Sequence, residues 1–118
     1  MDLNALNLLG TQIYRNAKSK GFWSDDVART PLIPEKIALM HSELSEALEE
    51  YRNGHGPTEI YYNDSNPAKP EGIPAEIADV IIRALDFCAG YNIDIDEVIR
   101  LKMAYNATRP YMHGGKKI

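Results

Sequence analysis

EIADVIIRALDFCAG, residues 76–90, decides the fold class, because its pattern is helical and its side chains are apolar around most of the circumference. On a helical wheel, one narrow polar stripe remains, made of Glu76, Asp79, Arg83 and Asp86. A helix of this kind belongs in a protein interior. Burying unpaired carboxylates there is costly, so we expect the stripe to face water, a cation or a cavity.

Three further segments carry helical periodicity, which predicts a single all-α domain over residues 1–118. The predicted helices span residues 2–19, 34–52, 74–90 and 94–108, and Asp94 suits the N-cap of the last one. Residues 53–72 are interpreted as a long loop without a convincing strand pattern, and residues 109–118 as a basic tail. The expected architecture is a four-helix-type bundle completed by dimerisation.

Composition excludes several classes of protein. The net charge is −4 and the isoelectric point about 5.3, so the chain has no global basic field for duplex nucleic acid. Its single cysteine, Cys88, leaves no cysteine-rich zinc pattern and is predicted to be buried. The start, MDLNALNLLG, lacks signal-peptide features, and no apolar run has transmembrane length. We therefore expect a cytoplasmic protein without a membrane partner.

The second predicted helix supplies more carboxylates. Its apolar positions, predicted to form a core stripe, are Ile37, Met40, Leu44, Leu48 and Tyr51. In HSELSEALEE, residues 41–50, Glu43, Glu46 and Glu50 lie on one face, which borders that stripe, and Glu49 and Glu50 are predicted to be solvated. If this helix packs beside residues 76–90, Glu43 and Glu46 approach Glu76 and Asp79.

Two interpretations of these carboxylates are possible, a cation site and neutralisation by an arginine. Four acids placed together repel one another, and a divalent cation would remove the conflict. Oxygen ligands alone favour Mg²⁺, with Mn²⁺ as a substitute. Alternatively, Arg83 neutralises the acids without a metal, since pairs three or four residues apart on a helix commonly do so. The same ambiguity applies to Arg83 and Asp86, which form either a simple ion pair or an outer layer of a metal site.

The C-terminal end adds cations. Lys102, Asn106 and Arg109 share one face of the last predicted helix, and a tail with His113, Lys116 and Lys117 follows. Beside a magnesium site, this set suggests a polyphosphate ligand. The alternative is a helix C-terminus whose cations complement the helix dipole, followed by a frayed tail.

At this point the chain resembles the MazG-like branch of the all-α nucleoside triphosphate pyrophosphohydrolases. The resemblance lies in two motifs, Glu43-Leu44-Ser45-Glu46 and Glu76-Ile77-Ala78-Asp79. It extends to the surrounding sequence segments KIALMHSELSEALEE, KPEGIPAEIADVIIRALDF and KMAYNATRPYMHGGKK. It covers nearly the whole chain. The stretch between the two acidic motifs, residues 47–75, is slightly longer than the commonest spacing in the family.

The resemblance implies a dimer, or a dimer of dimers, that hydrolyses a nucleoside triphosphate or deoxynucleoside triphosphate to the monophosphate and pyrophosphate with Mg²⁺. It assigns metal binding to Glu43, Glu46, Glu76 and Asp79. For the general base that accepts the proton of the attacking water, we take Glu46 as the first candidate and Glu43 as the second. The substrate-binding candidates are Lys102, Asn106, Arg109, His113 and Lys116. Trp23 and the Tyr61-Tyr62 pair are candidates to stack on the base, although a core or rim position is more typical of a tryptophan such as Trp23. The preferred base does not carry over.

Other classes of helical protein are alternatives to this family. A di-iron carboxylate bundle needs Glu-x-x-His pairs, and none of His41, His55 and His113 has a Glu three residues before it. A non-enzymatic helical interaction module with structural carboxylates remains an alternative. Within the superfamily, a dUTPase, a dCTPase or a phosphoribosyl-ATP pyrophosphohydrolase is a further alternative.

Overall fold

The structure is a computed structural model that describes residues 4–23 and 32–111. The regular elements in those ranges are α1 (Ala5–Ser19), α2 (Leu32–Arg52), β1 (Tyr61–Asn63), β2 (Asn66–Glu71), α3 (Ile73–Gly90) and α4 (Ile95–Ala107). Each predicted helix overlaps an observed one, and the mostly helical class is confirmed.

Helix α3 occupies the centre of the packing, with α1 and α2 both against it. Leu85 and Cys88 lie buried on α3, as expected for an apolar helix. Gly10 lets α1 approach closely, because a Cβ atom there would lie 3.0 Å from the Leu85 carbonyl oxygen. Although α3 is strongly apolar, no helix in the described ranges is long and apolar enough to cross a membrane.

Helix α4 is joined to α1 through its first turn. The predicted N-cap is confirmed, since the Asp94 side chain accepts a hydrogen bond from the Glu97 amide at 3.2 Å. Asn7 on α1 donates to the same Asp94 carboxylate at 2.8 Å, and its backbone amide donates to Asp96 at 2.8 Å. From Val98 to the end of α4 the side chains are exposed. Helix α4 is therefore attached to the three packed helices at its N-terminal end, and the rest of the helix projects from them.

A β-hairpin lies where the sequence predicted only a loop, so the prediction that no strand is present was wrong. Tyr61 pairs with Glu71 and Asn63 with Asn66 in an antiparallel ladder. Pro67 and Pro70 obscure the strand in the sequence, but β2 is largely exposed, and an edge strand tolerates proline. The hairpin ends at Glu71, directly before α3.

The prediction that the apolar stripe of α2 lies in the core was wrong for the single chain. Ile37, Leu44, Leu48 and Tyr51 are 44%, 49%, 60% and 68% exposed. The side chains that α2 buries are Glu43 and Ala47, because the face of α2 packed on α3 carries the carboxylates. Most of the stripe therefore remains exposed on the surface of the single chain.

Candidate metal centre

Three glutamates from two helices converge between α2 and α3. Glu43 and Glu46 lie three residues apart on α2, and Glu76 lies in the first turn of α3. One carboxylate oxygen from each lies within 4.8 Å of the other two. Glu43 is 7% exposed and Glu76 is 8% exposed. The structure thus brings together three of the four carboxylates that the sequence singled out as metal ligands.

Glu76 is the least satisfied member of this cluster. Its Oε2 atom is buried and has no hydrogen-bond partner. Burial raises the pKa of Glu76 to about 8, and hydrogen bonds shared with Glu43 and Glu46, together with their negative charges, add to the shift. A hydrogen bond between two carboxyl groups needs a proton, so the raised pKa of Glu76 favours its protonated form in the metal-free cluster.

Arg83 resolves part of the charge conflict. Its Nε atom donates to Glu43 Oε1 at 2.8 Å, from the next helical turns of the polar stripe on α3. Burial raises the pKa of Glu43, but the hydrogen bonds with Arg83, Glu46 and Glu76 outweigh it and leave that pKa below its ordinary value. The ion pair of Arg83 therefore runs across helices to Glu43.

Glu46 and Asp79 complete the predicted set in different ways. The hydrogen bond shared with Glu43 raises the pKa of Glu46, and burial adds to the shift. Burial raises the pKa of Asp79, and the charge of Glu43 adds to it. Asp79 is half-buried and lines the same cleft, but it does not belong to the set of oxygens within 4.8 Å.

Two glutamates missed by the sequence analysis join the cluster. Glu50, predicted to be solvated, is half-buried, and both of its oxygens accept from the Tyr61 hydroxyl at 2.9 and 2.8 Å. Glu71, at the end of the hairpin, forms a second close group with Glu50 and Glu76. The available signal was the position of Glu50 seven residues after Glu43, which places it on the same helical face.

The carboxylates line an open cleft of about 410 Å³, which also receives Lys69 from the hairpin. A second cleft of about 490 Å³ shares Glu43 and Asp79 with the first. The second cleft combines apolar side chains, among them Phe22 and Ile82, with the polar Lys36 and Arg83. A charged compartment thus adjoins a mixed apolar one.

Trp23 and Asp86 lie in the core rather than at a ligand surface. Trp23 is 4% exposed, and its indole Nε1 donates to both Asp86 oxygens at 3.0 and 3.1 Å. Tyr14 and Tyr91 contact the indole edge-to-face, with ring centroids 5.3 and 5.6 Å away. The structure therefore leaves no exposed indole face for a base, and Asp86 holds the indole instead of pairing with Arg83.

The predicted phosphate-binding residues lie elsewhere. Lys102 and Asn106 are exposed on α4, and Arg109 is exposed just beyond its end. His113 and Lys116 fall outside the described residues, as does Lys117. Of the aromatic candidates, Tyr61 is engaged with Glu50 and stacked on His55, whereas Tyr62 is exposed. Among the described residues, Lys69 lies in the carboxylate cleft, and Arg83 and Lys36 line the cleft that adjoins it.

The donor set fits a hard divalent cation. The close group offers only carboxylate oxygens, which Mg²⁺ and Mn²⁺ prefer. Oxygens bound to one such ion lie at most about 4.2 Å apart, a limit close to the 4.8 Å within which these three oxygens lie. A cation there would also give Glu76 Oε2 the partner that it lacks.

Comparison of the chain with protein-family models, with curated proteins and with solved structures gave no match. Arguments about its function therefore depend on its own residues.

Proposed function

We propose that this protein is a Mg²⁺-dependent nucleoside triphosphate pyrophosphohydrolase, which converts a nucleoside or deoxynucleoside triphosphate to the monophosphate and pyrophosphate. The observation that carries the proposal is the buried Glu76 carboxylate, with an unpartnered oxygen, against Glu43 and Glu46. A cluster this costly in the absence of a cation is unusual in a purely structural role.

The metal-binding residues in this proposal are Glu43, Glu46 and Glu76, with Asp79 contributing from the wall of the same cleft. Bound there, Mg²⁺ would supply electrostatic stabilisation of the charge on the triphosphate. Lys69 from the same cleft, and Arg83 through its pair with Glu43, would add positive charge to the site. The roles of Lys102, Asn106 and Arg109 in phosphate binding stay predictions.

Glu46 is the better candidate for the general base. It is exposed to the cleft, and its raised pKa makes it a stronger proton acceptor than an ordinary glutamate. Glu43 is buried and already accepts a hydrogen bond from Arg83. In the proposed reaction, water attacks phosphorus, its proton passes to Glu46, and the bond to the pyrophosphate leaving group breaks.

A substrate panel tests this function. The metal-free protein is incubated with each ribo- and deoxynucleoside triphosphate, and with oxidised or methylated analogues, in Mg²⁺, Mn²⁺ or EDTA. We expect chromatography to show monophosphate and pyrophosphate in equal amounts, only with metal.

A matched control is Glu97→Gln, which removes a carboxylate that pairs with Arg100 on α4. It should retain full activity. If neither metal supports consumption of any triphosphate and neither raises the melting temperature, the enzyme proposal fails and the alternative of a helical interaction module is favoured. Release of orthophosphate would contradict the proposed bond cleavage.

We also propose that a second copy of the chain covers the apolar stripe of α2. The stripe presents four large side chains, Ile37, Leu44, Leu48 and Tyr51, that are at least 44% exposed. Burying one such side chain contributes about 1.5–3 kcal/mol. A helix with one carboxylate face and one apolar face is suited to two neighbours, and α3 accounts for the first.

Placing a charge in the stripe tests this association. We expect Leu48→Glu to shift the protein to monomers in sedimentation equilibrium and to raise the dissociation constant at least about tenfold, a loss of about 1.4 kcal/mol. Ser45→Glu introduces the same side chain at an exposed position outside the stripe and should leave the association unchanged. Wild-type protein that is monomeric at 100-micromolar concentrations, roughly the range of weak association, would contradict the proposal.

A further inference from the structure

Glu76 belongs to two groups of carboxylates. Besides the group with Glu43 and Glu46, one oxygen each from Glu50, Glu71 and Glu76 lie within 4.8 Å of one another. Glu50 and Glu71 are half-buried, and Glu76 is buried. Glu76, whose Oε2 has no partner, therefore lies close to two pairs of acids, Glu43 with Glu46 and Glu50 with Glu71.

The hairpin builds the second group. Strand β2 ends at Glu71, and Gly72 follows with φ of 117° before α3 begins. A Cβ atom at residue 72 would lie 2.3 Å from the Glu59 carbonyl oxygen, so the chain turns here in close contact with the segment before β1. This turn brings Glu71 and Glu76 into the cleft that Glu50 of α2 also lines.

Neighbouring groups orient Glu50. The Tyr61 hydroxyl donates to Glu50 at 2.8 Å, and the Tyr61 ring stacks on His55, with ring centroids 4.3 Å apart. His55 Nε2 lies 3.7 Å from the same carboxylate. The Tyr61 hydroxyl thus orients the Glu50 carboxylate while leaving lone pairs for a cation, as the outer partners of metal ligands commonly do.

Glu71 has an exchangeable partner. Lys69 Nζ lies 3.2 Å from Glu71 Oε1, and the Lys69 side chain is 61% exposed. An exposed ammonium group holds a carboxylate weakly and can move into solvent. A divalent cation would displace the Lys69 ammonium group from Glu71 at little cost in free energy.

From this arrangement we propose that Glu50, Glu71 and Glu76 form a second divalent-cation site, with Glu76 shared between it and the group of Glu43 and Glu46. The all-oxygen ligands select Mg²⁺, Mn²⁺ or Ca²⁺. A shared carboxylate holds two such ions about 3.5–4 Å apart. The inference concerns metal binding alone and does not depend on nucleotide hydrolysis.

Counting bound Mn²⁺ tests the second site. Metal-free protein is titrated with Mn²⁺ by isothermal calorimetry, and bound Mn²⁺ is followed by electron paramagnetic resonance. We expect two ions per chain in the wild type and one in Glu71→Gln. The resonance of the doubly loaded protein should be broadened by the neighbouring ion, and it should sharpen in the variant.

The controls distinguish the second site from the first. Glu97→Gln should retain two ions. Glu50→Gln should bind one ion, and it replaces Glu71→Gln as the test if circular dichroism shows that Glu71→Gln disturbs the hairpin. Lys69→Met should tighten the second ion several-fold, because it removes the competing ammonium group. One ion in both wild type and Glu71→Gln overturns the second site but leaves the first; no ion in the wild type overturns both.

Discussion

We expect the replacement of Glu76 by Gln to lower the proposed Mg²⁺-dependent rate of triphosphate hydrolysis at least about 10³-fold, equivalent to about 4 kcal/mol of transition-state stabilisation. Above about pH 8, where Glu76 is charged, we expect the same change to stabilise the metal-free protein. Both effects have one cause, because Glu76 is a buried carboxylate against two others, and its Oε2 has no hydrogen-bond partner. An amide is neutral, so it removes the repulsion together with the affinity for a cation.

The pH dependence of stability follows from the raised pKa of Glu76. Its pKa is about 8 in the folded protein against an ordinary 4.5, so between these values the native state holds a proton that the unfolded state lacks. The stability that this proton confers is complete below about pH 4.5 and is lost as pH rises through about 8. Metal affinity runs in the opposite sense, since the proton must leave before a cation binds.

Thermal unfolding in EDTA at pH 6 and pH 8.5 measures this contribution. One pKa unit corresponds to about 1.4 kcal/mol, and side-chain relaxation in the cluster reduces the sum. At pH 8.5 we expect Glu76→Gln to be more stable than wild type by about 2 kcal/mol, a rise in Tm of roughly 5–10 °C.

Glu97→Gln is the matched control and should change neither Tm nor activity by a measurable amount. Full hydrolytic activity in Glu76→Gln would refute its assignment as a metal ligand. A fall in Tm at pH 8.5 would show that Glu76 stabilises the metal-free fold as a charged group, contrary to the argument above.

Local signals were sufficient to predict the helices. Asp94 as an N-cap and the apolar run after Pro74 act within a few residues, so the sequence predicted them directly. The convergence of Glu43, Glu46 and Glu76 was also accessible, because an acidic stripe on an apolar helix needs a partner.

The hairpin and its acids were not accessible by the same reasoning. Pro67 and Pro70 argue against a strand, and only the exposed position of β2 makes them compatible with one. Glu71 reaches Glu50 through a turn whose geometry depends on Gly72. Such contacts between distant residues are set by tertiary packing, which periodicity does not encode.

The α2 stripe shows a different limit. Hydrophobic periodicity predicts that a face is covered, but it does not identify the covering element. On α2, the face with Glu43 and Ala47 is packed on α3, while Leu44 and Leu48 remain exposed. Similarly, the sequence marked Arg83 as a neutraliser but left its partner open, and the structure pairs it across helices with Glu43.

Replacing Trp23 by Ala destabilises the protein by about 3–5 kcal/mol, because a large buried side chain is lost and a cavity remains. The indole fills the space beside Gly90, where a Cβ atom would lie 2.4 Å from the ring. Truncation also removes the Nε1 donor from Asp86, which is 9% exposed and would then lack that hydrogen bond. The two losses act on one site and are measured together.

Trp23→Phe separates these losses, since it keeps an aromatic ring but has no donor for Asp86. We expect it to cost about 1–3 kcal/mol in urea unfolding followed by far-ultraviolet circular dichroism. Phe22→Ala is the matched control: Phe22 is adjacent in sequence but 69% exposed, and its removal should cost less than about 0.5 kcal/mol. If Trp23→Ala proves as mild as Phe22→Ala, the indole does not anchor α3. If Trp23→Phe equals wild type, the hydrogen bonds to Asp86 contribute nothing, and packing of the ring accounts for the whole effect.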